Sequence, residues 1–142
     1  MEPTLLGVIL DPSILIEAER QRLDVTRFLK QVTGRIGERE AAICAISVAE
    51  LAHGVYRAAT PARSQARRSF LDDLKATVAI YPITAETAEL VGKLDAESSR
   101  QGVAIPLDDL LIGACALERG YAVATRNHRH FEKIPGLKLV SF

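Results

Sequence analysis

The sequence has few cysteines, no excess charge of either sign and no long apolar run. Its two cysteines, Cys44 and Cys115, each lie in an apolar stretch and lack metal-finger spacing, which favours buried free thiols in a reducing compartment. The 18 basic and 18 acidic side chains cancel, so the whole domain has no electrostatic footprint for nucleic acid, although a local basic rim is compatible with these numbers. No signal-peptide pattern and no membrane-length segment occur. We therefore expect a cytoplasmic protein with no membrane partner.

The chain length and the order of apolar segments predict one domain, residues 1–142, with an α/β fold. Buried strands are predicted at residues 5–10, 41–46, 77–81 and 121–125, with a weaker fifth strand at 137–140. Helices are predicted at residues 14–22, 24–33, 47–59, 61–75, 85–100 and 107–119, the second of them stopping at Gly34 and the last closed by Gly120. Alternating strands and helices predict a three-layer α/β/α arrangement around a mostly parallel sheet of four to five strands.

Three acidic residues stand in apolar surroundings where a predicted strand ends or a predicted helix begins. They are Asp11, Glu50 and Asp109. In a parallel sheet, ligands bind beyond the carboxyl ends of the strands, so these side chains are expected to converge. Two charges about 4 Å apart repel by roughly 4 kcal/mol at an effective dielectric near 20, and three such pairs by on the order of 10 kcal/mol. A hard divalent cation would offset that repulsion, so the pattern predicts a carboxylate metal site.

Each of these residues also has a purely structural interpretation. Asp11 is a candidate helix cap. Ser47 and Glu50 have the spacing of a capping box, in which the Glu reaches back to the Ser backbone. Asp109 and its neighbour Asp108 would both interact favourably with a helix dipole. Position at the sheet edge favours the metal role for Asp11, Glu50 and Asp109.

Further polar residues near the same edge are weaker candidates. Asn127 and Thr125 follow the fourth strand and have the chemistry to position a ligand or a water. The histidines lack a matching ligand set, and an all-oxygen donor set favours Mg²⁺ or Mn²⁺ over Zn²⁺. For Arg126, Arg129 and Lys133, a basic rim that binds phosphate groups and a solvated charged surface are equal alternatives. These weaker candidates are His53, His128, His130, Arg126, Arg129 and Lys133.

Four stretches together resemble the PIN-domain nucleases, in particular the VapC-like toxins of bacterial toxin–antitoxin pairs. They are residues 9–16 (ILDPSILI), 46–54 (ISVAELAHG), 106–117 (PLDDLLIGACAL) and 123–131 (VATRNHRHF). The resemblance covers essentially the whole chain. It implies a Mg²⁺- or Mn²⁺-dependent endoribonuclease, homodimers, and inhibition by a VapB-like antitoxin. It also implies that Asp11, Glu50 and Asp109 are the acidic ligands.

Two positions depart from this family pattern. Many members carry a fourth acid where this chain has Asn127, so a second metal is expected to bind weakly, and Pro12 replaces the small polar residue that commonly follows the first Asp. A catalytically weak, PIN-like binding protein is therefore an alternative. A phosphoacceptor receiver domain is disfavoured, because Pro82 and Ile83 stand where its aspartate would follow the third strand.

A homodimer is also predicted from the apolar content of the first two helices. Residues 14–22 and 24–33 carry more apolar side chains than a thin domain readily hides, and large exposed apolar patches usually mark interfaces. These side chains are Leu15, Ile16, Leu23, Phe28 and Leu29.

Overall fold

A computed structural model describes residues 6–142 and has a five-stranded parallel sheet at its centre. The strands are β1 (Gly7–Leu10), β2 (Glu40–Cys44), β3 (Ala79–Tyr81), β4 (Ala122–Thr125) and β5 (Leu139–Ser141). Their order is β3-β2-β1-β4-β5, and every neighbouring pair is parallel. Leu5, where the first strand was predicted to begin, lies outside the described residues. The predicted mostly parallel sheet is confirmed.

Seven helices connect and cover these strands in the described part of the chain. They are α1 (Pro12–Arg20), α2 (Val25–Ile36), α3 (Ala45–Tyr56), α4 (Pro61–Thr77), α5 (Ala85–Arg100), α6 (Leu107–Arg119) and α7 (His128–Phe131). The four-residue α7 was not predicted from the sequence. No helix among residues 6–142 is long and apolar enough to span a membrane.

The central strands are apolar throughout because both of their faces are buried. In β1, Val8 and Leu10 face one core cluster, which α1, α2 and α4 cover, whereas Ile9 faces a second cluster, which α5 and α6 cover. All three side chains are fully buried. Side chains alternate across a strand, so three consecutive residues of β1 supply both cores. This arrangement confirms the predicted three-layer α/β/α architecture.

The sheet order reverses at β1, and this reversal fixes where a ligand can bind. From β1 the chain first adds β2 and β3 on one side, and it later adds β4 and β5 on the other side. The crevice beyond the carboxyl ends of β1 and β4 is therefore the topological switch point, which is the usual ligand position in open parallel sheets.

Several predicted helix boundaries were wrong, since α1 spans Pro12–Arg20 rather than 14–22, α3 ends at Tyr56 rather than at 59, and α4 ends at Thr77 rather than at 75. Helix α2 does not stop at Gly34 but continues to Ile36, which is buried, and it ends at Gly37 with φ +73°. Gly37 has φ +73° and ψ −153°, a backbone conformation that glycine adopts most readily, and its N–H bonds to Thr33 O. Helix α3 begins at Ala45 rather than at Ser47, because β2 ends at Cys44.

Most of the apolar side chains of α1 and α2 that were expected to form an exposed dimer surface are not exposed, so that expectation was wrong for them. Leu15 and Phe28 are buried, since α1 and α2 pack their apolar faces onto the sheet and α4. The Phe28 ring lies 6.3 Å from the Phe70 ring of α4. Leu23 and Leu29 pack against the same cluster, and only Ile16 is exposed.

Candidate metal centre

Asp11 lies at the switch point, directly after β1, and only 6% of its surface is exposed. Its Oδ2 accepts hydrogen bonds from the Ser13 backbone N–H (3.3 Å), from Ser13 Oγ (2.5 Å) and from Thr125 Oγ1 at the end of β4 (3.0 Å). Asp11 is thus the N-cap of α1, with Pro12 at the first helical position. The capping role and a ligand role are compatible, because the donors all contact Oδ2 and none of the described residues donates to Oδ1.

Asp108 and Asp109 lie in the first turn of α6. Asp108 Oδ1 accepts a hydrogen bond from the Asp109 backbone N–H at 3.0 Å, and the N-cap of α6 is Pro106, which makes no side-chain cap hydrogen bond. Asp109 Oδ2 lies 2.8 Å from Nδ1 of His130. Burial, followed by the charge of Asp108, raises the pKa of Asp109, while the His130 hydrogen bond opposes that rise.

Glu50 projects from the second turn of α3, and its Oε1 is buried without a hydrogen-bond partner among the described residues. Burial, followed by the proximity and negative charge of Asp108 and by the charges of Asp11 and Asp109, raises the pKa of Glu50 to about 7.

The predicted capping box of Ser47 and Glu50 was wrong. Because α3 begins at Ala45, Ser47 is the third residue of the helix and is not its cap. Its side chain is fully buried, and Oγ has no hydrogen-bond partner among the described residues. Glu50 is therefore not held by the helix terminus, and its carboxylate faces the neighbouring acids.

The fold brings Asp11 and Asp108 close enough to Glu50 and Asp109 for their negative charges to raise the pKa of Glu50 and of Asp109. As these side chains stand, no group of three His, Cys, Asp or Glu residues among residues 6–142 is arranged to hold a metal ion. The donor chemistry nevertheless fits a hard divalent cation, because it is all oxygen and includes the orphaned Oε1 of Glu50. Binding an ion would require side-chain rotation.

The chain is similar to known proteins over most of its length. The PIN-domain family profile matches residues 8–137. The chain belongs to the PIN-domain family.

Ribonuclease VapC1 of Rickettsia felis is 27% identical over 136 residues, 96% of each chain. Ribonuclease VapC2 of the same organism is 31% identical over 98 residues, 69% of this chain and 71% of the relative. The crystal structure of Rickettsia felis VapBC2, bound to a DNA fragment from their promoter, contains a similar chain. The two chains superimpose with a TM-score of 0.81 and are 25% identical. The match covers 95% of the present chain and 98% of the chain in the VapBC2 structure.

Asn127 follows β4, at the position where the family resemblance implies a fourth acid in many PIN domains. It is exposed, precedes α7, and has no side-chain hydrogen bond among the described residues. Its backbone N–H donates to Thr125 Oγ1 at 2.8 Å. Asn127 therefore supports Thr125, which in turn holds Asp11.

The basic and histidine residues that were weaker candidates for the site of this PIN domain differ in their exposure and in their contacts. Arg126 pairs with Glu17 at 2.8 Å, whereas Arg129 and Lys133 are exposed. His53 is also exposed and lies on α3. His128 Nε2 lies 3.0 Å from Ser141 Oγ in β5, away from the carboxylates.

Sequence reasoning undervalued His130. This residue contacts Asp109, which is 21 positions earlier in the chain. No local sequence pattern predicts this contact, because it depends on how the segment after β4 packs against α6. The nearest sequence signal was Phe131, an apolar residue that follows His130 in an otherwise polar segment and is buried in the second core cluster.

Proposed function

We propose that this chain is a divalent-metal-dependent endoribonuclease and the toxin of a VapBC-like toxin–antitoxin pair. The observation that carries the proposal is the convergence of Asp11, Glu50 and Asp109 at the switch point, with Glu50 Oε1 buried and unpartnered. Relatives that match nearly the whole chain are named ribonucleases, which supports RNA as the substrate.

We assign ion binding to Asp11 and Asp109, with Glu50 contacting the ion directly or through water. A bound Mg²⁺ or Mn²⁺ supplies Lewis acidity, which makes water a stronger acid and offsets charge on phosphate oxygens. Asp11 is oriented for this task, because Ser13 and Thr125 engage its Oδ2. Near neutral pH Glu50 is the group that carries a proton, so ion binding should release that proton.

The first prediction is metal-dependent cleavage of RNA that Asp11→Asn and Asp109→Asn abolish. Each substitution removes a negative charge from the ion site but keeps a side-chain oxygen. In Asp11→Asn that oxygen still accepts from Ser13 and Thr125, so the α1 cap should survive. Cleavage is measured with Mn²⁺ on labelled RNA, and circular dichroism checks that each variant is folded.

The matched control is Asp73→Asn, which changes an acid on α4 and lies away from the carboxylates. It should cleave as the wild type does. Undiminished cleavage by both site variants, or full activity in excess EDTA, would refute the metal mechanism.

The second candidate function is a PIN-like binding protein with little catalytic power. The exposed, uncharged side chain of Asn127 is the observation that favours it, because the position at which many PIN domains have a fourth acid then carries no negative charge. The same assay separates the two candidates. Wild-type protein that binds RNA but leaves it intact with Mn²⁺ would favour this second function.

A VapB-like antitoxin and a second copy of the chain are the proposed protein partners. The structure of Rickettsia felis VapBC2 on promoter DNA supports a partner of the VapB kind for this chain. The homodimer rests on the family resemblance, since most of the apolar residues first assigned to the interface are buried in the core.

A further inference from the structure

The two aspartates assigned to the ion share one pattern of contacts. In each, a single carboxylate oxygen contacts the protein, and the contacting groups are hydroxyls, a backbone N–H or an imidazole, which can all make this contact in the neutral form. Asp11 Oδ2 accepts from Ser13 and Thr125. Asp109 Oδ2 contacts His130 Nδ1 at 2.8 Å. For neither residue does any donor among the described residues contact Oδ1. In both carboxylates, one oxygen is therefore engaged by the protein and the other is left for a ligand.

The chemistry of the Asp109–His130 contact fixes the position of the imidazole proton. An ionised carboxylate only accepts hydrogen bonds, so Nδ1 must be the protonated nitrogen that donates to Oδ2. A neutral imidazole then orients Asp109 without cancelling its negative charge. A lysine or arginine in this place would compete with a cation for the same carboxylate.

The packing of α6 brings His130 to Asp109. Gly113 lies one helical turn after Asp109, and Ile134 lies four residues after His130. A Cβ at Gly113 would stand 2.6 Å from Ile134 Cδ1, so the absence of a side chain at Gly113 lets Ile134 pack directly against α6 in its present conformation. Phe131, 1% exposed, anchors the turn between His130 and Ile134 in the core. The Gly113–Ile134 contact thus sets the spacing that the Asp109–His130 hydrogen bond requires.

We propose that His130 is a positioning residue for the nuclease reaction, which fixes through Nδ1 the oxygen that Asp109 presents to the metal ion. This inference rests on the proposed function. His130 is partly open to solvent, with 37% of its side chain exposed, whereas that of Asp109 is 14% exposed. Groups that orient a metal ligand from outside the coordination shell typically change metal affinity by about 10–100-fold when they are removed.

The test compares side chains that replace one imidazole nitrogen at a time. Asn places its amide nitrogen near the position of Nδ1, and Gln places its amide nitrogen near that of Nε2. We expect His130→Ala and His130→Gln to raise the calorimetric Kd for Mn²⁺ by about 10-fold or more and to lower kcat in RNA cleavage. His130→Asn should restore most of both losses. His128→Ala is the matched control on the same turn, and it should leave both quantities unchanged.

A second readout does not depend on the ion or on activity. In metal-free protein labelled with ¹⁵N-histidine, NMR should show the His130 proton on Nδ1, and Asp109→Asn should alter that signal. A proton on Nε2, equal Mn²⁺ affinity in the wild type and His130→Ala, or rescue by Gln as complete as by Asn would each overturn the inference. Wild-type protein that neither binds Mn²⁺ nor cleaves RNA would instead overturn the proposed function and, with it, this role of His130.

Discussion

At the scale of single residues, the acidic site residues could be predicted from the sequence, but the side-chain contacts that each residue makes could not. Asp11, Glu50 and Asp109 were found because acids are rare in apolar sequence next to a strand end. The fold does bring all three together with Asp108. The orphaned hydroxyl of Ser47 and the contact between His130 and Asp109 were not predictable. Both depend on packing between segments that are far apart in the chain.

Glu50 makes a pH-dependent contribution to stability whose sign follows from its raised pKa. The pKa is about 7 in the folded protein against an ordinary value of 4.5, so the folded state binds the proton more tightly. The stabilising contribution is therefore complete below about pH 4.5 and is lost as the pH rises through about 7. Asp109 acts in the same direction.

The resulting prediction concerns Glu50→Gln in EDTA. The variant should be more stable than the wild type at pH 8 by about 1–2 kcal/mol, a value reduced for the partial exposure of Glu50. The difference should be small at pH 4.5. Excess Mn²⁺ should reverse the order at pH 8, since an ion at a hundred times its Kd stabilises the wild type by about 2.7 kcal/mol. Urea unfolding at both pH values measures this, and a difference independent of pH would contradict it.

At the scale of helices and strands, element type was easier to predict than element boundaries. All five strands were predicted, because each is a short apolar run. Helix α6 was predicted at its observed bounds, with Gly120 in the left-handed conformation at its end. Helix α2 was cut short because Gly34 was interpreted as a stop signal, although Gly37 is the terminating residue. Helix α7 was missed because four residues carry too little periodicity.

The contact between α6 and the segment after α7 gives the element-scale prediction. Gly113→Ala places a Cβ 2.6 Å from Ile134 Cδ1, and such overpacking typically costs about 1–3 kcal/mol. The higher helix propensity of Ala offsets up to about 1 kcal/mol of that loss. The net effect should be destabilisation by about 1 kcal/mol.

Ile134→Val tests the cause, because it removes the Cδ1 atom that the new methyl group would meet. The double variant Gly113→Ala/Ile134→Val should be more stable than the sum of the two single changes predicts, as a double-mutant cycle in urea would show. Strictly additive effects would mean that the close approach at Gly113 is not what restricts this position.

At the scale of the whole molecule, zero net charge conceals a local excess of negative charge. Four carboxylates lie together, and His130 is the one basic side chain within ion-pair distance of any of them among residues 6–142. RNA is a polyanion, so this pocket must be neutralised before a phosphate can approach. The nearby basic residues contribute unequally, since Arg126 is paired with Glu17 while Arg129 and Lys133 are exposed.

A homodimer is the prediction that concerns assembly. Exposed apolar side chains remain on three helices, namely Ile16 on α1, Tyr56 on α3 and Leu107 at the start of α6, with Tyr56 82% exposed. Light scattering at high micromolar concentration should give twice the mass of one chain. A monomer at that concentration would contradict the dimer and leave the nuclease proposal unaffected.

The cluster of carboxylates also predicts how the proposed antitoxin would inhibit this chain. An arginine binds a carboxylate through two parallel hydrogen bonds, so an antitoxin segment with an Arg side chain would suit the metal-free pocket. Inhibitor and ion would then compete for the same carboxylates. The apparent Kd of the antitoxin should rise as Mn²⁺ is added, and Arg→Ala in that segment should remove the dependence on Mn²⁺. Co-expression with the neighbouring gene product and titration of the purified pair measure both effects. Antitoxin affinity that is independent of Mn²⁺ would mean that inhibition acts outside the carboxylate pocket.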